Sequence, residues 1–313
     1  MLSYFIRRLL AAIPVMLVVA LSVFLLLRLS PGDPATILAG DMADAEQVAN
    51  IRAALGLDQP LATQFFMWIG NLVQGDFGVS LISQTPVMTM ISQRIEPTIS
   101  LALCAIIFTV LISVPLGVIA AWKQGSWIDN VVMSTSVIGF SLPVFVIGYI
   151  LIQVFAIELR WLPVQGFRSI GDGVGDFASR LVLPALTLSS VYIALIARMT
   201  RASMLEVLQE DYIRTAHAKG LSKRIVLFRH ALRNAAVPIL TVIGAGFALM
   251  VSGVVVTETV FNIPGLGRLI VDAVLARDYP VIQALILLTA GLYVFINLLI
   301  DLSYALTDPR IRY

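Results

Sequence analysis

The sequence predicts an all-α membrane protein with six transmembrane helices, a structured extracytoplasmic segment after the first helix and a cytoplasmic helical segment between the fourth and the fifth. Hydrophobic residues make up 59% of its 313 residues and charged residues 13%, against roughly 45–50% and about 25% in soluble domains. The mean hydropathy is +0.93. The apolar residues gather in six uncharged stretches, and lysines and arginines concentrate in alternate gaps between them. These observations exclude an ordinary soluble enzyme, a disordered chain and a nucleic-acid-binding protein.

Each of the six stretches is long enough, or nearly so, to cross the hydrocarbon core of a lipid bilayer, which takes about 20 helical residues. They are 9–27, 97–122, 130–157, 181–197, 234–257 and 279–300. The first is not expected to be a cleavable signal peptide, because its apolar region is too long and no small-residue cleavage site follows it. Every stretch contains a proline. Pro115 and Pro143 lie in the middle of their stretches and are expected to kink those two helices.

The basic residues predict the orientation of the chain in the membrane. When the gaps are assigned alternately to two sides, the side of the N-terminus receives 13 Lys and Arg in 64 residues, and the other side 8 in 113. Cytoplasmic loops carry the excess of Lys and Arg. Both termini are therefore predicted to be cytoplasmic.

The segment that follows the first span is too patterned to be a linker. A capping box at Asp44 and Gln47 predicts a first amphipathic helix that stops at Gly56. A second helix is predicted after Pro60, and a third is predicted to begin at Thr85–Pro86 and lead into the second span. The apolar residues at helical spacing are Val48, Ile51 and Leu55, then Leu61, Phe65, Trp68 and Leu72, then Val87, Ile91 and Ile95. The segment either only caps the bundle or also helps to receive a partner.

Three parts of the chain follow from this pattern. Residues 1–29 are the N-terminal transmembrane helix, and 30–96 form the extracytoplasmic helical segment. Residues 97–313 form a core with the other five transmembrane helices.

The polar residues inside the spans are neutral, which predicts a passive conduit whose driving force comes from elsewhere. Proton-coupled and sodium-coupled transporters usually carry intramembrane ionisable groups or unwound ion sites. Hydroxyl groups in a span either bond to neighbouring helices and their own backbone or line a path. The pathway is expected on the third, fourth and fifth spans, with Ser141, Ser189 and Gly246 as lining candidates. Gly246 and Gly253, on one face of the fifth span, permit close packing or a hinge.

No enzymatic motif is found. The lysines, at 123, 219 and 223, do not follow the glycine spacing of a P-loop, so the chain is not expected to hydrolyse nucleotide. The sequence around Ser141 lacks the second glycine of a G-x-S-x-G elbow. His217 and His230 have no cysteine near them and no H-E-x-x-H spacing, and the single cysteine, Cys104, lies in an apolar run. No metal site is predicted.

The cytoplasmic segment 198–233 has the pattern of two helices joined by a glycine. Leu205, Leu208, Tyr212 and Ala216 recur on one helical face, and Gly220 supplies a left-handed stop. Ser222 is expected to cap a second helix, whose apolar face is Ile225, Phe228 and Leu232. Three interpretations remain open on physical grounds. The segment lies on the lipid surface, caps the bundle, or docks a soluble partner by inserting a helix in a groove.

These residues resemble the permease subunits of bacterial ABC importers, in the dipeptide, oligopeptide, glutathione and nickel family, and are most similar to its dipeptide and glutathione branches. The cytoplasmic segment carries the resemblance, and other motifs in the same order extend it along the chain. They are Arg7–Arg8 with Pro14, Pro31-Gly-Asp-Pro-Ala35, Leu55-Gly-Leu-Asp-Gln-Pro60, Gly75-Asp-Phe-Gly78, Arg94 before Pro97, Arg198 to Leu208, Glu210 to Gly220, His230 to Asn234, Val256 to Phe261 with Pro264-Gly-Leu-Gly267, Arg277-Asp-Tyr-Pro280 and Asp308 to Tyr313. Of the family's signature E-A-A-x3-G-x9-I-x-L-P, only Ala216, Gly220 and Leu232 agree.

The resemblance implies a permease of the bacterial inner membrane whose cytoplasmic coupling helix sits in a cleft of an ATP-hydrolysing subunit. The residues that it assigns to this contact are Leu208, Asp211, Tyr212, Arg214, Ala216, Lys219 and Gly220. It also implies a second homologous permease subunit, two ATPase subunits and an extracytoplasmic substrate-binding protein. No cofactor is expected on this chain, since ATP and magnesium belong to the ATPase subunits.

The alternative function is a self-sufficient channel or facilitator for a small polar solute. Among transported solutes, a short peptide, glutathione, a nickel chelate, an opine and a sugar remain open, because the binding protein does most of the selecting.

Overall fold

The computed structural model describes residues 2–29, 35–36, 44–54 and 56–307. The described residues form helices joined by turns, with one isolated β-bridge between Val79 and Pro86. The α-helices are α1 (Leu2–Leu29), α2 (Ala45–Ala54), α3 (Leu61–Val73), α4 (Val87–Ser92), α5 (Ile95–Trp122), α6 (Trp127–Ser141), α7 (Val144–Leu151), α8 (Val174–Leu208), α9 (Asp211–Ala218), α10 (Leu232–Val260), α11 (Leu266–Ala276) and α12 (Tyr279–Thr307). The shorter elements are Ile152–Glu158 (π-helix), Ile170–Asp172 (3-10 helix), Lys223–Ile225 (one α-turn) and Val226–Ala231 (π-helix).

Five of the predicted spans are confirmed as helices long and apolar enough to cross a membrane. These five segments are Ile6–Leu25, Val87–Trp122, Val174–Leu208, Lys223–Phe247 and Tyr279–Ile300. The helix α5 continues through Pro115. The third predicted span is a pair of helices, α6 and α7, bent by 109°. Pro143 caps α7 at this bend, so the predicted kink is confirmed as a complete break.

The contacts of the broken pair run along α8. From its start to its end, the pair meets residues that come progressively earlier in α8. The contacts are Asp129 with Arg201, Gly139 with Ala194 and Gly148 with Thr187, and Ile152 and Ala156 share an apolar cluster with Leu181 and Leu183. This order of contacts is the one expected if the pair crosses the membrane beside α8.

The described residues divide into two compact units, one within 97–267 and 295–307 and the other within 2–96 and 268–294. In the first unit, α5, α8 and α10 carry two buried apolar clusters. One includes Leu101, Leu181, Leu188, Met250, Val254 and Phe261. The other includes Val118, Met204, Ile213, Ala216, Val226, Leu227, Ala231 and Ala235. The second cluster supports the segment 198–233.

Small residues allow the helices of the first unit to approach closely. A Cβ atom on Gly246 would lie 3.3 Å from the Tyr192 ring, and one on Gly253 would lie 2.9 Å from Leu188 Cδ1. The predicted role of these two glycines in close packing is confirmed, because membrane helices without side-chain bulk at the contact can bring their backbones together.

Gly117 has the tightest of these helix contacts, and its replacement by alanine is expected to destabilise the chain by about 1–3 kcal/mol. The added Cβ would lie 2.5 Å from Thr200 Cβ and 2.6 Å from the Ala197 carbonyl oxygen. Gly70 is the matched control, since nothing lies within 4 Å of its added Cβ in α3. Thermal unfolding of the purified variants in detergent measures the difference. A Gly117→Ala variant as stable as Gly70→Ala would contradict the close α5–α8 contact.

In the second unit, the three helices predicted after α1 form within the described residues. Asp44 Oδ1 accepts a hydrogen bond from the Gln47 backbone N–H at 2.7 Å, and Gly56 stops α2 with φ +64°. The Phe24 ring on α1 lies 5.3 Å from the Phe65 ring on α3. The helix α4 ends one turn before α5 begins. Leu55, Pro31 to Pro34 and the closing motif 308–313 lie outside the described residues.

A buried carboxylate in the second unit explains two of the family-like motifs. Asp278 accepts hydrogen bonds from the Ser80 hydroxyl and, at 3.1 Å, from the Leu81 backbone N–H. It thereby holds the turn that follows Gly75-Asp-Phe-Gly78 against Arg277-Asp-Tyr-Pro280.

Candidate functional site

The segment 198–233 contains a separate short helix and not the continuous stripe that the spacing predicts. The helix α8 ends at Leu208, and α9 begins at Asp211 after Glu210 has taken an extended conformation with ψ 144°. Leu205 and Leu208 therefore belong to one helix, and Tyr212 and Ala216 to the next. The prediction of a single face was wrong, because helical spacing loses its meaning across a break in the helix.

The inner face of α9 is buried against the chain itself. Ile213 and Ala216 belong to the second apolar cluster, and Ala216 is only 7% exposed. The interpretation that Ala216 enters a partner's groove is therefore corrected: its small side chain fits between α9 and the apolar residues of the chain's own core. Leu208 is half-buried and packs against the same cluster.

The outer face of α9 is uncovered and polar. The exposed residues on α9 and its C-terminal cap are Asp211, Tyr212, Arg214, Thr215, His217, Ala218 and Lys219. Arg214 and Asp211 form an ion pair at 3.4 Å, with side chains 78% and 94% exposed. Such an exposed pair contributes little to stability, so its groups remain available to a partner.

Two contacts fix α9 relative to the start of α10. Tyr212 is partly exposed, and its hydroxyl accepts a hydrogen bond from Asn234 Nδ2 at 3.0 Å. Gly220 has φ +77°, and its N–H donates to the His217 carbonyl at 2.9 Å. The predicted left-handed stop is confirmed, and it turns the chain back towards α10.

The helix predicted after Ser222 forms, but with a different face. After one α-helical turn the chain winds as a π-helix from Val226 to Ala231. Val226, Leu227 and Ala231 are buried, whereas Ile225 and Phe228 are exposed. The predicted face was wrong because hydrogen bonds from residue i to i+5 widen each turn and shift the side chains that follow.

The structure separates the three pathway candidates. Ser141 is exposed at the end of α6, beside the break, and its hydroxyl donates to the Val137 carbonyl at 2.8 Å. Ser189 is fully buried and donates to the Leu186 carbonyl at 3.1 Å. Gly246 is buried against Tyr192. Ser189 and Gly246 lie at packing positions within this chain, and Ser141 alone of the three presents its side chain at a surface. The assignment of the three residues to the pathway stays a prediction.

A buried ion pair that the sequence does not indicate joins α6 to α8. Arg201 Nε and Nη2 donate to the two carboxylate oxygens of Asp129 at 2.6 and 2.7 Å. The Gly125 backbone N–H donates to the same carboxylate at 3.0 Å. The side chain of Asp129 is 4% exposed. This two-pronged pair fixes α8 to α6 close to the point at which the chain enters α9.

A second buried carboxylate, Glu258, organises the turn after α10. It is fully buried, and its carboxylate accepts a hydrogen bond from the Thr98 hydroxyl at 2.6 Å. Thr98 Oγ1 in turn accepts one from the Leu266 N–H at 2.8 Å. A side chain on Gly265 would collide with the carboxylate. The glycines of the Pro264-Gly-Leu-Gly267 motif were the sequence signal of this close approach.

Comparison with known proteins agrees with this architecture. Residues 113–313 match the family described as binding-protein-dependent transport system inner membrane component, and residues 1–102 match its N-terminal membrane component. A probable peptide ABC transporter permease protein of Sinorhizobium fredii is 57% identical over 310 residues, 99% of each chain. The glutathione transport system permease protein of Escherichia coli K12 is 47% identical over 313 residues, the whole of both chains.

A solved structure shares the fold. It is described as an inward-facing conformation of the MetNI methionine ABC transporter, and it matches with a TM-score of 0.58 at 17% identity. The match covers 71% of this chain and 97% of that one. The chain therefore belongs to the inner membrane components of binding-protein-dependent transport systems, the multi-pass permeases of ABC transporters.

Proposed function

We propose that this permease forms one half of the translocation pathway of an ATP-driven importer, and that α9 is its coupling helix. The observation that carries the proposal is an eight-residue helix whose inner face is packed on the chain's own apolar cluster and whose outer face is left uncovered. A helix supported in this way can transmit a push from a soluble partner to α8 and α10. Its outer residues Asp211, Arg214 and Thr215 would meet the ATPase subunit, with Lys219 at its C-terminal end.

The structure favours a docking helix over a lipid-bound one. A helix at the membrane surface turns its apolar face to the lipid, but the apolar residues Ile213 and Ala216 of α9 are buried within the chain. The outer face combines Asp211 with Arg214, so it offers both charges and does not match the anionic surface of a membrane. A protein groove of mixed charge fits it better.

The complete transporter would contain a second homologous permease subunit, two ATPase subunits and an extracytoplasmic binding protein. This chain would hold no cofactor, and ATP and magnesium would bind to the ATPase subunits. Closing of the ATPase subunits would move α9 and change the angle between the helices that line the pathway. The chain's own part is binding and transmission of movement, without bond chemistry.

The proposed cargo is a short peptide or a related solute such as glutathione, delivered by the binding protein. The names of the two relatives support this class. Reconstitution of the permeases, ATPase subunits and binding protein in liposomes tests it: glutathione or dialanine should accumulate only when ATP is supplied. Transport by the permeases alone, without ATPase subunits, would instead indicate a self-sufficient channel.

The proposed topology places both termini in the cytoplasm, and it depends on the broken pair crossing the membrane. In a Cys104→Ser background, Gln165→Cys should react with an impermeant maleimide in intact cells. Gln124→Cys and Thr215→Cys should react only after the membrane is permeabilised. If α6 and α7 formed a re-entrant loop, positions 124 and 165 would be labelled from the same side.

A further inference from the structure

Arg198 lies on α8 one turn before Arg201, but its environment is different. The guanidinium carbon of Arg198 lies 5.9 Å from the centre of the Phe140 ring, near the end of α6. In the described part of the chain no carboxylate pairs with Arg198. Arg198 and Phe140 are both exposed, as is the neighbouring Ser141.

The contact with Phe140 places the guanidinium of Arg198, the first residue of the segment 198–233, beside the third predicted span. Phe140 follows Asp129 by eleven residues in α6, which is roughly 16 Å along a helix axis. A side chain on α8 points back towards the start of that helix, away from the end that carries Arg201. Arg198 thus reaches inward, whereas an arginine that escapes from lipid extends towards the membrane surface.

Apart from Arg201, which is paired with Asp129, the helix face around Arg198 is small or apolar. Val191, Leu195 and Ala202 continue its stripe at helical spacing; the first two are half-buried and Ala202 is exposed. A guanidinium is always charged in proteins, and hydrocarbon opposes such a charge strongly. The face that carries Arg198, Phe140 and Ser141 is therefore expected to meet water and not the lipid boundary.

We propose that Arg198, stacked on Phe140 beside the break of the third span, is a carboxylate-binding position on the translocation pathway. A guanidinium held by its face against an aromatic ring keeps the N–H groups at its edge available, and this edge matches a carboxylate with two parallel hydrogen bonds. The transported solutes then carry a free carboxylate, as peptides, glutathione and opines do, and neutral sugars are disfavoured. The inference rests on the proposed function, since it assigns a cargo to the same pathway.

The first test measures the charge and the wetness of the position in the complete transporter complex. In a Cys104→Ser background, Ser141→Cys is modified with an anionic or a cationic methanethiosulfonate of similar size. The measured quantity is the rate of the anionic reagent divided by the rate of the cationic reagent. This ratio should be about tenfold higher for Ser141→Cys than for a free thiol in solution. Arg198→Met should abolish this preference. Lys123→Met is the matched control, because Lys123 lies 4.8 Å from the Trp122 ring and also stacks a cation on an aromatic ring.

Protection experiments identify the ligand. Dialanine should slow the modification of Ser141→Cys, and its C-terminal amide should not. A thiol that reacts with neither reagent, or that shows no charge preference, would overturn the proposal. A preference that vanishes when phosphatidylglycerol is added to phosphatidylcholine vesicles, without protection by dialanine, would assign Arg198 to a lipid phosphate and would also overturn it.

Uptake separates this inference from the proposed function. With glutathione or dialanine as cargo, Arg198→Met should lower uptake about tenfold, the cost of one charge-assisted hydrogen-bonded pair, and Arg198→Lys should lower it less. Stimulation of ATP hydrolysis by the loaded binding protein should persist in both variants. Loss of ATP-dependent uptake in the wild-type complex would contradict the proposed function, while the thiol measurement would still decide the role of Arg198.

Discussion

Replacing Asp129 by asparagine is expected to lower the free energy of unfolding of the purified chain by about 3 kcal/mol. Removal of one partner from a buried ion pair leaves the other charge without compensation and typically costs about 3–5 kcal/mol. Arg201 keeps 24% of its side chain exposed, so the lower end of this range applies. Equilibrium unfolding in mixed detergent micelles, followed by helical circular dichroism, measures the change.

Two further variants make the interpretation specific. Asp211→Asn removes a carboxylate of the same kind from the exposed pair with Arg214 and should leave the unfolding curve unchanged. Asp129→Asn combined with Arg201→Gln replaces the ions by two neutral amides and should recover part of the lost stability. The interaction energy from this double-mutant cycle should exceed about 1 kcal/mol. Additive effects of the two single substitutions would show that the pair does not join α6 to α8.

The membrane-spanning segments could be predicted because the hydropathy of a segment is the sum over all its side chains. Each of the segments around Pro14, Pro115 and Pro280 favours the bilayer through many apolar side chains, so one proline does not change the outcome. The prediction at Pro143 was correct in kind but did not give the 109° bend. The angle depends on where α7 then packs, and Gly148 lies against Thr187 of α8.

The helical faces of the segment 198–233 could not be predicted from residue spacing. Gln209 and the extended residue Glu210 separate α8 from α9, and the π-helical turn from Val226 to Ala231 shifts the residues after it. Both irregularities are set by packing among distant residues. The Asp129–Arg201 pair is beyond sequence reasoning for the same reason, because 72 residues separate its members and neither lies in a motif that demands the other.

Ala216 is buried in the chain and does not lie on the outer face of α9, so another substitution is needed to test the coupling helix. Ala216 and Ala218 lie two residues apart in α9, the first buried and the second exposed. Ala216→Asp places an unpaired carboxylate inside the chain's own core, which costs several kcal/mol. This variant is expected to melt at a clearly lower temperature in detergent and to accumulate poorly in the membrane, whether or not an ATPase subunit is present.

Ala218→Asp makes the same chemical change on the opposite side of the same helix. The isolated permease should melt at the wild-type temperature, because the new carboxylate stays in water. If α9 docks in a groove of the ATPase subunit, the carboxylate loses its solvation on assembly, at a cost on the order of 1–3 kcal/mol. Association with the ATPase should weaken by roughly tenfold or more, and uptake and the stimulation of ATP hydrolysis should fall with it. Co-purification of the ATPase at wild-type yield with Ala218→Asp, together with normal uptake, would refute the assignment of α9 as the coupling helix, because no part of its outer face would then be buried by the partner.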